Sequence, residues 1–215
     1  MVLAERLKAR WLQIATHIAA LLPLALLVWD YAQDQLTADP IREITLRTGR
    51  YALILLILSL ACTPVHIVFG LKQVLRVRRA LGLYAFLYAS LHLLTFVGLD
   101  YGFDFALVGR AILEKRFVQI GFLTFLILLP LAITSTRGWM KRLGKNWKRL
   151  HRLVYLAALL HVVHFVWVVK AGNPRPLPYA VVLALLLIVR IPGVRNRINN
   201  FRDRISKKGL EPLRH

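Results

Sequence analysis

Two histidines lie inside long uncharged stretches of this 215-residue chain. His92 lies in the uncharged run 80–99, and His164 lies in the run 153–169. A histidine within a membrane span is costly to bury and usually has a partner or a functional role. Imidazoles on two different spans at similar depth can bind the iron of a haem from both faces. These residues therefore predict an axial ligand pair, His92 and His164, for a membrane haem.

The depths of the two histidines follow from where their apolar runs end. His92 precedes Asp100 by eight residues, and His164 precedes Lys170 by six. At a rise of about 1.5 Å per residue, the two lie roughly 12 and 9 Å below the outer boundary. Since one iron needs both imidazoles at the same level, these depths favour a shared haem. The alternative is two buried histidines that bond only to backbone or water.

Further residues are candidates for contact with a cofactor. His151 opens the fifth predicted helix, about 20 Å along its axis from His164, and could be a ligand or a propionate contact near the cytoplasmic face. On an ideal helix the two side chains point about 140° apart and do not share a face. The candidates for a second site, or for the surroundings of the first, are His17, His66, His161 and Arg50.

The elements that position these residues are predicted from hydropathy. The chain is 58% hydrophobic with a mean hydropathy of +0.57, more apolar than a soluble domain needs. A helix of roughly 17–25 apolar residues can cross a bilayer. The predicted spans are 11–31, 51–71, 80–99, 117–136, 152–169 and 176–192, followed by a basic tail, 193–215. We therefore expect an all-α membrane protein with six transmembrane helices in a single domain, 1–215.

The distribution of charge predicts the topology and excludes a nucleic-acid partner. The formal net charge is +20, yet 22 of the 30 Lys and Arg residues fall on one side of the six spans. This bias places both termini in the cytoplasm. Contact with anionic lipid accounts for the excess of positive charge.

Other features limit the kind of cofactor and the class of protein. The single cysteine, Cys62, excludes a disulfide framework, an iron–sulfur cluster and covalent c-type haem. No nucleotide-binding glycine motif is present. No internal repeat is visible, and no carboxylate lies in mid-span, which disfavours a haem-free transporter or scaffold. A non-covalent haem remains the favoured cofactor.

Several short motifs resemble a known family in their order and spacing. They are Thr16-His17, Leu21-Leu22-Pro23, Ala38-Asp39-Pro40, Thr48-Gly49-Arg50, Arg78-Arg79-Ala80-Leu81-Gly82-Leu83, Leu91-His92-Leu93, Leu143-Gly144-Lys145, Trp147, Leu150-His151, Val154-Tyr155-Leu156 and His164. The chain resembles the haem-binding membrane subunits of periplasmic methionine-sulfoxide reductase systems, the MsrQ (YedZ) family of the ferric-reductase-like transmembrane group.

The resemblance implies one or two b-type haems held by His92, His151 and His164. It also implies an electron-transfer subunit of the bacterial inner membrane that is not an enzyme on its own. The acceptor would be a periplasmic molybdopterin-containing methionine-sulfoxide reductase, and the donor would be the quinone pool or a cytosolic flavin reductase. Descriptions of the family include FMN. The alternative is a stand-alone membrane ferric or quinone reductase of the same fold.

Overall fold

The computed structural model describes residues 2–169 and 173–208, and within them the chain forms helices and no strand. The helices are α1 (Val2–Ala32), α2 (Pro40–Phe69), α3 (Val74–Leu94), a π-helix (Thr95–Asp100), α4 (Phe105–Glu114), α5 (Arg116–Ile133), α6 (Arg137–Leu143), α7 (Lys145–Leu150), α8 (Leu153–Val168), α9 (Leu177–Ile188) and α10 (Pro192–Lys208). The end of the bundle where α2 begins and α3 ends is named the outer end, after the predicted topology.

Five helices are long and apolar enough to cross a membrane. The predicted sixth span, 176–192, corresponds to α9, which qualifies only when it is joined to α10 across a bend of 75°. The described part of the chain therefore has five candidate spans, or six if the bent pair counts as one. The predicted basic tail begins in α10, and its last residues, 209–215, lie outside the described residues.

Helix α2 begins well before the predicted start at residue 51. The carboxylate of Asp39 accepts a hydrogen bond from the Arg42 amide, and Pro40 occupies the first turn, where its missing N–H costs nothing. The helix ends at Gly70, which adopts a left-handed conformation with a φ of 71°. The early start matters because it brings residues 45–50 into the helix that lines the site.

The histidine-bearing helices belong to the two most closely packed helix pairs, α2 with α3 and α5 with α8. Helix α1 packs mainly on α3, where the buried Tyr88 donates a hydrogen bond to the Ala20 carbonyl at 2.8 Å. Large apolar side chains face outward along the spans, as a bilayer requires. The core lies where α2 and α3 meet α8.

Arg190 links the last span to two other helices of the bundle. Pro64 lacks an N–H, so the Leu60 carbonyl one turn before it has no partner within α2. The guanidinium of Arg190, which follows α9, donates to this carbonyl at 2.5 Å and to the Tyr155 hydroxyl at 2.5 Å. Arg190 thereby joins α9 to both α2 and α8.

Candidate haem-binding site

The first half of the site is formed by α2 and α3. The Nδ1 atom of His92, near the end of α3, lies 2.8 Å from the carbonyl oxygen of Thr45 in α2. A carbonyl only accepts hydrogen bonds, so Nδ1 carries the proton and Nε2 keeps its lone pair. The ring passes so close to α2 that a Cβ on Gly49 would lie 3.0 Å from it. This half of the site thus presents one oriented imidazole.

The second half of the site is formed by α5 and α8. The Nδ1 atom of His164 donates to the carbonyl oxygen of Phe117 in α5, at 2.7 Å. A Cβ on Gly121 would lie 2.7 Å from the His164 ring, closer than carbon atoms normally approach. As in the first half, the bond to the backbone leaves Nε2 free to bind a metal.

The two imidazoles meet across the centre of the bundle. The ring centroids of His92 and His164 are 6.0 Å apart, and the ring planes are inclined by 81°. With metal–imidazole bonds of about 2.0 Å, two rings on opposite sides of one metal have centroids separated by roughly 6 Å. Metal-binding histidines commonly donate their other N–H to a backbone carbonyl, as both of these do. The pair therefore fits the axial ligands of a haem.

Both histidines line one cavity of about 480 Å³, within the usual size range of cofactor sites. Its walls are mostly apolar and come from α2, α3, α5 and α8, and α4 closes the outer end with Phe105, Val108 and Ile112. An apolar wall suits the faces of a porphyrin, which carries its charge only on the propionates. The residues therefore fit the group that the histidine pair implies.

Charged side chains gather where the cavity reaches the outer end. Lys115 lines it there, together with Asp100 and Tyr101, whereas Arg50 lines the cavity from α2, one residue after the Gly49 that contacts the His92 ring. Lys115 lies between α4 and α5, outside the spans, and its Nζ donates to the Tyr101 hydroxyl at 3.0 Å. This hydrogen bond raises the pKa of the Lys115 ammonium group above its ordinary value of 10.5, so the group is charged at neutral pH. Lys115 is thus a cation available for carboxylates at this end, and Arg50 is a second cation on the cavity wall.

A third histidine faces the same cavity. His161 lies one turn before His164 in α8, and the ring centroids are 6.4 Å apart. The side chain is buried, and its Nδ1 atom has no hydrogen-bond partner in the described structure. The structure therefore places His161 beside the pair, in the surroundings for which the sequence made it a candidate.

His151 lies apart from the cavity, at the inner end between α7 and α8. Its Nε2 atom is 3.0 Å from the Thr134 hydroxyl, and its ring stacks on Trp147 with centroids 4.1 Å apart. The Trp147 indole in turn donates to the Thr134 carbonyl at 2.9 Å. The described structure thus gives His151 partners of its own and does not bring it to His92 or His164.

The other two histidines within the described residues, His17 and His66, do not reach His151 either. His17 faces outward from α1, and its Nδ1 atom is 2.9 Å from the Tyr84 hydroxyl. His66 lies near the inner end of α2 with Nδ1 buried and, among the described residues, unpartnered. No hydrogen bond or ring contact within residues 2–169 and 173–208 joins either side chain to His151.

The groups that orient the histidines were not predicted from the sequence. The carbonyls of Thr45 and Phe117 are backbone groups, which carry no signature in a residue list. Gly49 and Gly121 are visible in the sequence, and each precedes its histidine by 43 positions. This equal spacing is the signal that could have identified them.

Comparison with known proteins shows the family to which the chain is similar. The family described as the ferric reductase like transmembrane component matches residues 48–162, which include both glycines and His92 and end two positions before His164. A relative from Xanthomonas axonopodis pv. citri is 48% identical over 181 residues, covering 81% of this chain and 83% of its own length. It is named the haem-binding subunit MsrQ of protein-methionine-sulfoxide reductase.

The chain belongs to the MsrQ family. Relatives of the same name in Xanthomonas campestris pv. campestris strain 8004 and in Rhodospirillum rubrum are 47% and 45% identical, covering 82% and 86% of this chain and 84% and 90% of their own. No solved structure matches the chain. Its membership in the MsrQ family and its apolar spans make it a multi-pass protein of the bacterial inner membrane.

Proposed function

We propose that this chain binds haem b between the helix pairs α2–α3 and α5–α8 and carries electrons across the inner membrane. The observation that supports this most is the pair of backbone-anchored imidazoles, His92 and His164, with centroids 6.0 Å apart in an apolar cavity. Haem supplies one-electron redox chemistry, and ligation from both sides favours electron transfer over oxygen activation. On this proposal the chain is an electron-transfer subunit with no substrate chemistry of its own.

The side chains at the outer end of the cavity would receive the haem propionates. Lys115 lines the outer end and is charged at neutral pH, and Arg50 lines the cavity wall beside Gly49. A carboxylate bonded to a guanidinium or ammonium group forms a charge-assisted hydrogen bond, which is stronger than a neutral one.

The inner end of the bundle would receive electrons. Helices α6 and α7 expose a basic surface, named here the inner basic surface, formed by Lys141, Arg142, Lys145, Lys148 and Arg149. Arg142 lies over the ring of Trp139 at 5.2 Å, and His151 lies between α7 and α8 directly behind this surface. Charge complementarity speeds the docking of an acidic partner. We therefore propose a cytosolic flavin reductase as donor, with quinol from the bilayer as the alternative source of electrons.

The acceptor proposed for the outer end is a periplasmic molybdopterin-containing methionine-sulfoxide reductase. The relatives are named as subunits of a protein-methionine-sulfoxide reductase, and the cavity with its paired histidines lies toward the outer end of this chain. A haem near that end shortens the path to a soluble acceptor. FMN stays a prediction from the family resemblance.

The test is a visible spectrum and haem determination on the purified full chain and on His92→Ala and His164→Ala. Each variant should lose the haem or convert it from low-spin to high-spin, because one axial ligand is gone. His17→Ala is the matched control, since it removes an imidazole that lies outside the cavity. A normal low-spin spectrum with full haem content in both single variants would show that the pairing is wrong.

A second measurement separates an electron-transfer subunit from a stand-alone reductase. In proteoliposomes, the reduced wild-type chain should be reoxidised by the methionine-sulfoxide reductase with its substrate. Ferric chelates or quinones alone should give slow turnover. Rapid turnover with ferric chelates and no reoxidation by the methionine-sulfoxide reductase would support the stand-alone enzyme.

A further inference from the structure

The two halves of the histidine site repeat one another along the chain. In α2–α3 the anchoring carbonyl is that of Thr45, and the histidine follows 47 residues later. In α5–α8 the anchoring carbonyl is that of Phe117, and the histidine again follows 47 residues later. In both halves a glycine lies four positions after the carbonyl residue. One shift of 72 positions therefore carries the carbonyl residue, the glycine and the histidine of the first half onto their counterparts in the second.

The two halves also run in the same direction. Each begins with a helix that leaves the outer end carrying the carbonyl and the glycine, and each ends with a helix that returns carrying the histidine. Because both halves run in the same direction, they are related by a rotation about an axis parallel to the bundle. An inverted repeat, in which the second half runs the opposite way, would not give this order. The same shift aligns Arg79 with His151 in the sequence. The two halves therefore match at the outer end and differ at the inner end.

We infer that the outer haem site is a pseudo-twofold pair of glycine–histidine units, in which Gly49 and Gly121 are positioning residues. A residue four positions after the carbonyl lies on the same face of the helix, one turn along. Without a Cβ at that place, the imidazole lies against the helix backbone and reaches the carbonyl. Each glycine therefore sets the orientation of the histidine in its own half.

The distances show what a methyl group would do at each glycine. On Gly121 it would lie 2.7 and 2.9 Å from atoms of the His164 ring, and on Gly49 it would lie 3.0 and 3.1 Å from atoms of the His92 ring. Non-bonded carbon atoms prefer separations of about 3.5–4.0 Å. The ring must therefore move off the helix, which lengthens or breaks its bond to the carbonyl. The approach of the histidine ring to the glycine is therefore closer at Gly121 than at Gly49.

The experiment compares Gly49→Ala, Gly121→Ala and a matched control, Gly82→Ala. Gly82 lies within α3, and a Cβ there would touch only the Ser59 hydroxyl, at an ordinary 3.4 Å. Haem affinity is measured by titration of haem-free full-length chain, and the low-spin electron paramagnetic resonance spectrum reports how the ligand planes are oriented. Both site variants should bind haem roughly 10–100-fold more weakly, as when a group that orients a metal-binding histidine is lost. Gly121→Ala should be the weaker binder, and Gly82→Ala should match the wild type.

This inference rests on the proposed haem, and the outcomes separate the two. A wild-type chain that takes up no haem contradicts the proposed function and the inference together. A wild type that binds haem, with wild-type affinity and spectrum in both site variants, overturns the inference alone. Circular dichroism and gel filtration of the haem-free variants check the fold. If Gly121→Ala does not fold, Gly49→Ala decides the result, because its contact is the milder one.

Discussion

Replacing Tyr88 with Phe should weaken the attachment of α1 without disturbing the site. Tyr88 is fully buried, with a relative exposure of 0%, and its hydroxyl donates to the Ala20 carbonyl at 2.8 Å. Ala20 lies three residues before Pro23, whose missing N–H interrupts the helical hydrogen bonds of α1. The Tyr88 hydroxyl thus bonds to a turn of α1 in which the helical hydrogen bonds are incomplete.

The size of the effect follows from this hydrogen bond. A buried polar group left without a partner costs about 1–3 kcal/mol in soluble proteins, but hydrogen bonds between membrane helices average about 0.6 kcal/mol. The phenylalanine ring keeps the packing, so no cavity forms. Because the substitution removes one buried hydrogen bond, Tyr88→Phe should lower the free energy of unfolding by about 1 kcal/mol.

The assay is reversible unfolding in mixed micelles with increasing sodium dodecyl sulfate, followed by circular dichroism. Tyr84→Phe is the matched control, because its hydroxyl bonds the outward-facing His17 and its removal should cost within about 0.5 kcal/mol. The haem spectrum should not change in either variant, since no residue of α1 lines the cavity among those described. Equal stability of the two variants would refute this account of Tyr88.

Three further predictions concern the path of electrons and the cavity mouth. His151→Ala should slow reduction by the donor or lose part of the haem while the outer site keeps its spectrum; unchanged stoichiometry and rate would make His151 a boundary residue. Charge reversal at Lys141, Arg142 and Lys145 should slow donor-driven reduction at low salt and leave the oxidised spectrum intact, and a normal rate would place the donor elsewhere. Because the Lys115 pKa is raised above 10.5, its contribution to haem affinity should hold through neutral pH and disappear only as the pH rises past that value; a Lys115→Gln variant with the same alkaline loss of haem as the wild type would contradict this.

The sequence predicted the fold class well because long stretches without charged residues correspond directly to membrane spans. It placed the start of α2 too late, since the run was cut at Arg50 although the Asp39–Pro40 capping signal lay upstream. It also treated 101–116 as a connection, whereas α4 there folds over the cavity. The π-helix after α3 carries no pattern that charge or hydropathy could reveal.

The candidate site was predictable only in part. Depth counting brought His92 and His164 to one level, and in the structure their ring centroids are 6.0 Å apart, although haem ligation itself stays a prediction. The sequence showed no repeat, because the repeated parts are two carbonyls and two glycines separated by unrelated apolar residues. A repeat with so few matching residues can be recognised only from the positions of the helices in the structure.

The bond from Arg190 to the Leu60 carbonyl has a consequence for how the chain is made. The two residues are 130 positions apart, and at about 5–20 residues per second the ribosome needs roughly 7–26 s to synthesise the intervening chain. During that interval α2 is already synthesised with a carbonyl that Pro64 has left without its helical partner and that Arg190 has not yet reached. A chain that stops before α9 lacks this hydrogen bond permanently, although all the paired histidines are present. The hydrogen bonding of the second span is therefore completed only when the last span has been synthesised.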